Sequence, residues 1–394
     1  MRKISANYIF PVSGNPIKDG IIIIDEHGTI VEIIDQKDKF TEISGVEHFN
    51  GILVPGFINA HCHLELSHMK GVLSCRGKGL PSFIDEIIKK RFTPPNIEEI
   101  IESADREMRL NGIVAVGDIS NCADSFDVKQ RSSINYTTFI ELFTINDTLV
   151  EKTFDDGLKN LEILSEKKLK GTIVPHAPYT VPTKLFEKIS DFYTKNPNVT
   201  SIHNQETESE NLMFLNNTGE MFEMLKNIGF DFSCFSFSGK NSIKSYLNYF
   251  KSNQNILLIH NTFTELTDLK FAENFSKNIY WVLCPNSNKY IENILPNFPM
   301  FVENNSNVCL GTDSYSSNDE LNILSEMKTL AKEFPNIKFD KILEAACLNG
   351  AKALEISDFY GSFEIGKNPG INLITDFDFE TMNLTSTSQI YPLD

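Results

Sequence analysis

The sequence predicts an α/β fold: a (β/α)8 barrel of the TIM type, with a small β-sandwich module built from both ends of the chain. Three observations predict it. Eight apolar, β-branched runs recur through the 394 residues, at 52–59, 112–119, 137–143, 171–176, 199–203, 255–260, 279–284 and 307–312. Stretches of helical character separate them, among them 96–111, 153–168, 184–195, 212–228 and 338–355. Strand and helix in strict alternation imply a parallel sheet, and eight units close a barrel. The third observation is that both ends lack this alternation.

Residues 20–35 (GIIIIDEHGTIVEIID) read as a hairpin with Glu26-His27-Gly28 as its turn, and no helical period precedes residue 55. Residues 361–378 return to short strands with Gly and Pro punctuation. The expected organisation is therefore 1–54 and 356–394 as two parts of one β-module, with the barrel over 55–355. The length is ample for both.

Composition excludes several functions. Hydrophobic residues make up 41% and charged residues 23%, an ordinary globular balance. Lys and Arg total 36 against 53 Asp and Glu, a formal charge of −17. That field repels phosphate backbones and anionic lipid, so no nucleic-acid or membrane partner is expected. No run approaches the ~20 apolar residues of a membrane span. The first residues show no apolar core of a secretory leader. Seven scattered cysteines without a CxxC fit a reduced cytoplasm better than a disulfide framework.

Barrel active sites form where the strands end. His61 and His63 follow the first run, His176 the fourth and His203 the fifth. His260 follows the sixth, Asn286 the seventh and Asp313 the eighth, with His68 close behind the first pair. Five of the eight histidines thus converge on one mouth. In an extended segment His61 and His63 project from the same face, where both can reach one ion at about 2.0–2.1 Å. An HxH pair alone is a weak signal; its flank strengthens it.

That flank, VPGFINAHCHLELSHMKG at 54–71, resembles the signature of the amidohydrolase superfamily, a hydrophobic strand ending in Pro-Gly-x-x-(Asn/Asp)-x-His-x-His. HNQE at 203–206 resembles the HxxE of its aminohydrolase, or deaminase, branch. PHAPYTV (175–181), LLIHN (257–261), CPNSN (284–288) and LGTDS (310–314) are similar to further motifs of that branch, in order along nearly the whole chain. The resemblance extends to methylthioadenosine/S-adenosylhomocysteine deaminases, aminofutalosine deaminases and chlorohydrolase-like enzymes.

The resemblance implies that His61, His63, His203 and Asp313 bind one divalent ion, zinc or iron. It implies that Glu206 and His260 are catalytic and that His176 lies near the substrate. Three imidazoles and a carboxylate leave a position open for water, whose pKa such an ion lowers to roughly 7. In the expected reaction hydroxide attacks a ring carbon, Glu206 protonates the adjacent ring nitrogen, and His260 and Asp313 orient the nucleophile and pass its proton to the departing amine. Asn286 either anchors substrate or forms an Asx-turn. Glu65 either contacts substrate or makes a salt bridge beneath the site. Phe83 either stacks on a planar ring or covers the barrel. Ser314 supports its neighbour Asp313, and Cys62 points away into packing.

Two departures sharpen the expectation. The fourth run, KGTIVPHAPYT, has no Lys at its end, where binuclear members of the superfamily carry a bridging one, so one metal is expected. The loop at 64–95 lacks the Trp-x-x-x-x-x-Pro-x-Glu pattern of nucleoside deaminases. The expected activity is deamination of a purine, pterin or pyrimidine-like ring of a small molecule in the cytoplasm; the sequence leaves the oligomeric state open, and enzymes it resembles are often homodimers. The alternatives are hydrolysis of an amide or halogen-substituted ring at the same site, and a catalytically silent barrel used for assembly.

Overall fold

Alternate residues of the apolar runs face opposite ways, and this sorts the core into layers. The computed structural model describes residues 1–36, 43–144, 146–196, 199–235 and 237–393. Its barrel strands are β1 (Phe57–Cys62), β2 (Ile113–Ser120), β3 (Asn135–Leu142) and β4 (Lys170–Pro175). They continue as β5 (Thr200–Asn204), β6 (Ile256–His260), β7 (Ile279–Leu283) and β8 (Asn307–Leu310). Each pairs in parallel with the next within β1–β4 and within β5–β8. The two half-barrels meet at both seams. The His203 amide donates to the His176 carbonyl at 2.9 Å, and Cys62 bridges Asp313 in parallel.

Inside the barrel, Ile58, Ala115, Phe139, Val174, Leu257, Ile259, Val282 and Cys309 pack in one cluster. Their strand neighbours, among them Phe57, Val116, Ile140, Ile173, Leu258, Trp281 and Val308, face the surrounding helices. The parallel strands are therefore buried on both faces, which is why they read as continuous apolar runs.

The first run spans two strands. Residues up to Pro55 belong to Val46–Pro55 in the terminal sheet, and β1 begins at Phe57. Gly56 separates them because a Cβ there would lie 2.5 Å from the Pro369 carbonyl oxygen and 2.4 Å from Val114. The two ends meet, as expected, in one β-rich module, whose strands form a seven-stranded mixed sheet among the described residues. Leu53, Ile371 and Leu373 turn to the module's own core with Ile4 and Ile22. Ile52, Val54 and Ile374 turn to the barrel. The predicted hairpin is present as Ile21–Ile24 and Ile30–Ile34, with Gly28 at φ +81°.

Two predicted helices are each divided. The stretch 212–228 becomes Glu208–Asn216 and Glu220–Asn227, because Asn217 takes a left-handed cap at φ +56°. The stretch 338–355 breaks at Cys347, giving Phe339–Ala346 and Leu348–Ala353. Among the described residues no helix is long and apolar enough to cross a membrane.

Candidate active site

Three local devices aim side chains into the barrel mouth. In β1, Ile58 and Ala60 face the interior, so strict alternation would put Cys62 there too. A register shift between Asn59 and Cys62 reverses the phase. His61 turns to the axis and Cys62 packs in the outer core, as the sequence predicted for it. Bulges next to active sites re-aim side chains in this way. His260 follows Ile259, which already faces inward, and reaches the same mouth through a left-handed backbone at φ +72°. Asp313 has φ +58°. Such conformations cost of order 1–3 kcal/mol each and persist only where surrounding contacts fix them. At Asp313 they do: its amide and that of Thr312 both donate to the His61 carbonyl, at 3.0 and 3.1 Å.

Nε2 of His61 and of His63 lie 3.2 Å apart, and Oδ1 of Asp313 lies 3.6 and 3.5 Å from them. His203 donates from Nδ1 to the His176 carbonyl at 2.8 Å, which leaves its Nε2 lone pair toward the cluster. Ligand atoms of His61, His203 and His260 also lie within 4.8 Å of one another. A tetrahedral ion with ligands at about 2.0–2.1 Å has edges near 3.3–3.4 Å, which matches the spacing. Burial pushes His63 and His203 well below their usual range and His260 down to about 4, so the rings are neutral. Burial alone would raise Asp313, but its close approach to His61, His63 and His260 holds it well below the carboxylate range. Lone pairs of neutral rings and a carboxylate, brought this close, repel unless a cation lies between them. The donor set therefore fits a divalent ion.

Beneath this cluster, Asp118 and Lys129 form an ion pair at 2.6 Å, both side chains fully buried. Asp118 also accepts from the Leu64 amide at 2.8 Å, pinning the chain directly after His63. Breaking such a pair by removing one partner costs about 3–5 kcal/mol.

Glu206 is presented by a tight turn. Gln205 is left-handed at φ +47°, and the amides of Gln205 and Glu206 donate to the two oxygens of Glu210 at 3.0 and 3.1 Å. Thr207 caps the helix Glu208–Asn216, so Glu210 holds the third helical position of a capping box but reaches back to the turn itself. Glu206 accepts from the Tyr179 hydroxyl at 2.8 Å and lies 3.5 Å from His260 Nε2. Burial, then the Glu210 charge, raise its pKa well above the carboxylate range.

These groups line a cavity of about 490 Å³. His63, His176, His203, Glu206, His260, Asp313, Ser314 and Phe83 all face it. Glu65 and Asn286 do not. The Glu65 carboxylate is spent on Arg91 at 3.0 Å and on the amides of Asn121 and Cys122 at 2.9 and 3.2 Å. The Asn286 side chain is held by Ser325 and Thr329, on the helix Ile323–Glu333. His68 lies outside as well, its ring against Phe92.

Sequence reasoning missed Glu141, Tyr179, Asn121 and the serines that hold Asp313. Ser287 and Ser317 both donate to Asp313 Oδ2. Glu141 had a signal: it follows Phe139 by two residues, so it shares the inward face of β3. Its burial raises its pKa to about 7. For His176, Nδ1 is taken by Thr180 at 2.6 Å, and the ring faces the cavity beside His203. His176→Ala should therefore raise KM several-fold with near-normal metal content; loss of the metal by elemental analysis would remove it from the substrate side.

Residues 52–388 match the profile of the Amidohydrolase family. A curated adenosine deaminase of Helicobacter pylori is 28% identical over 367 residues, covering 91% of this chain and 87% of its own length. The crystal structure of Helicobacter pylori aminofutalosine deaminase with methylthio-coformycin superposes with a TM-score of 0.82 at 24% identity, over 98% of this chain and 94% of that one. An adenosine deaminase of Xanthomonas campestris with bound zinc gives 0.72 at 20% identity, over 98% and 87%.

Proposed function

Because the chain belongs to the Amidohydrolase family, we propose that it is a metal-dependent aminohydrolase that removes the amino group of a purine-like ring. The observation that carries this reading is the pairing of a buried Glu206, whose burial pushes its carboxyl well above the carboxylate range, with a converging His61, His63, His203 and Asp313 cluster at one cavity. A curated deaminase among the relatives supports the same chemistry.

The ligand set proposed is His61, His63, His203 and Asp313, holding one zinc ion; a zinc-bound neighbour in the same fold supports that choice over iron. The ion would supply Lewis acidity and lower the pKa of a water at the site. The chain's own residues do the rest. Glu206 delivers its proton to the ring nitrogen next to the reacting carbon, and the Tyr179 hydroxyl fixes the rotamer from which it does so. His260, neutral and 3.5 Å from Glu206, orients the attacking water together with Asp313. Asp313 is steadied by Ser287 and Ser317. The attacking water gives up both its protons: one leaves with the departing amine as ammonia, and the other returns to Glu206, whose own proton stays on the ring nitrogen. Leu80, Phe83, Ile84 and Ile291 close one wall of the cavity and keep bulk water from the ring.

The test is ammonia release, with metal-replete protein, from aminated purines, pyrimidines, pterins and their nucleosides. Turnover with stoichiometric ammonia is expected. A chloride or carboxylate product without ammonia would replace this reading with halide or amide hydrolysis.

A further inference from the structure

The carboxylate of Glu141 is buried, 5% exposed, and faces the cavity. One of its oxygens is accounted for: Oε2 accepts from the Asn121 side chain at 3.0 Å. The other, Oε1, accepts no hydrogen bond. The nearest donor would be His203 Nδ1 at 3.3 Å, but that proton goes to the His176 carbonyl at 2.8 Å. A neutral imidazole has only one proton to give. An acceptor left without a donor at this depth costs about 1–3 kcal/mol, so a ligand that brings a donor would recover that free energy.

The surroundings say what kind of ligand. Asn121, Glu141, His176 and Thr180 form one polar group in the lining, joined by the Asn121–Glu141 and His176–Thr180 hydrogen bonds, while Leu80, Phe83, Ile84 and Ile87 of the helix Leu80–Lys90 supply apolar lining. Asn121 is itself fixed through its amide by Glu65, so Glu65 acts on this group from behind. Glu65, in the loop after β1, lies away from the cavity and pairs with Arg91.

We propose that Glu141 accepts a hydrogen bond from a substrate hydroxyl, so that the preferred substrate is an aminated ring bearing a vicinal diol, as a ribonucleoside does. This rests on the deaminase reading above and deepens it. Glu141 contacts the substrate and leaves His203 in place without help, because the His176 carbonyl already holds that ring.

The experiment compares adenosine with 2′,3′-dideoxyadenosine as substrates for wild type, Glu141→Ala and Glu141→Gln, with metal content measured on each. In wild type, kcat/KM should favour adenosine. In Glu141→Ala it should fall about 10- to 100-fold on adenosine and stay within about threefold on the dideoxy compound, with wild-type metal content. Glu141→Gln, which keeps the volume, should lose part of the preference and covers the case in which the alanine variant does not fold. Equal losses on both substrates, or loss of metal, would overturn the proposal in favour of a role under His203. Wild-type turnover of aminated rings with no preference for the diol would overturn it while leaving the deaminase reading intact. No ammonia from any aminated ring would instead bring down the deaminase reading, and this inference with it.

Discussion

Asp313→Ala protein should purify folded but nearly metal-free, and its ammonia release should fall to background. The carboxylate is the one anion of the proposed ligand set, with Oδ1 3.5–3.6 Å from the Nε2 atoms of His63 and His61. Its removal leaves three neutral imidazoles to hold a dication in a buried site, and Ser287 and Ser317 lose their acceptor. The fold should survive because the backbone at this seam is tied independently. The amides of residues 312 and 313 donate to the His61 carbonyl whatever side chain follows. The φ of +58° does add strain for any non-glycine residue, but Ala meets it no worse than Asp sterically. Elemental analysis after dialysis should find less than about a tenth of the wild-type metal, in line with losing a ligand whose outer partners alone are worth 10–100-fold in affinity. Circular dichroism should be unchanged. Full metal occupancy in the folded variant would remove Asp313 from the ligand set. His61→Ala should behave alike, and His176→Ala should not.

The sequence made the barrel legible because parallel strands buried on both faces leave long apolar runs, and because strand ends concentrate chemistry. The histidines at 61, 63, 176, 203 and 260 were found by position alone. What stayed hidden depends on local geometry. His260 should by alternation face outward, and only its left-handed backbone brings it in. The register shift in β1 has no signature in the run of residues that forms it. Asn286 and Glu65 carry the right chemistry next to the right motifs, yet packing spends their polar atoms elsewhere, on Thr329 and on Arg91. Glu141 is the opposite case. It is an acid in an apolar run, two residues from Phe139, and period-two arithmetic places it in the mouth. Tyr179 could be suspected only from its motif, since its function depends on reaching Glu206, 27 positions away. The divided stretch at 212–228 follows the same rule: a left-handed Asn217 ends the first helix although apolar residues continue beyond it in Glu220–Asn227.

Glu206→Gln should keep its metal and its fold and lose roughly 10²–10⁴ in kcat, the usual contribution of a positioned general acid. The substitution is close to isosteric. The amide oxygen can still accept from the Tyr179 hydroxyl, and the turn that presents the residue is held by backbone amides on Glu210 rather than by the side chain. What is lost is the transferable proton. KM should move by less than about threefold, since the proton matters in the transition state and little in the ground state. A kcat within threefold of wild type would end the acid role. His260 gives the finer check. Its Nε2 lies 3.5 Å from Glu206 and it faces the same cavity, so the two should act as a unit. The Glu206→Gln, His260→Ala double variant should then be little slower than the worse single one, whereas independent roles would multiply the losses. Multiplied losses would show that His260 serves the site without working through Glu206, as a residue whose ring lies within ligand distance of His61 and His203 could.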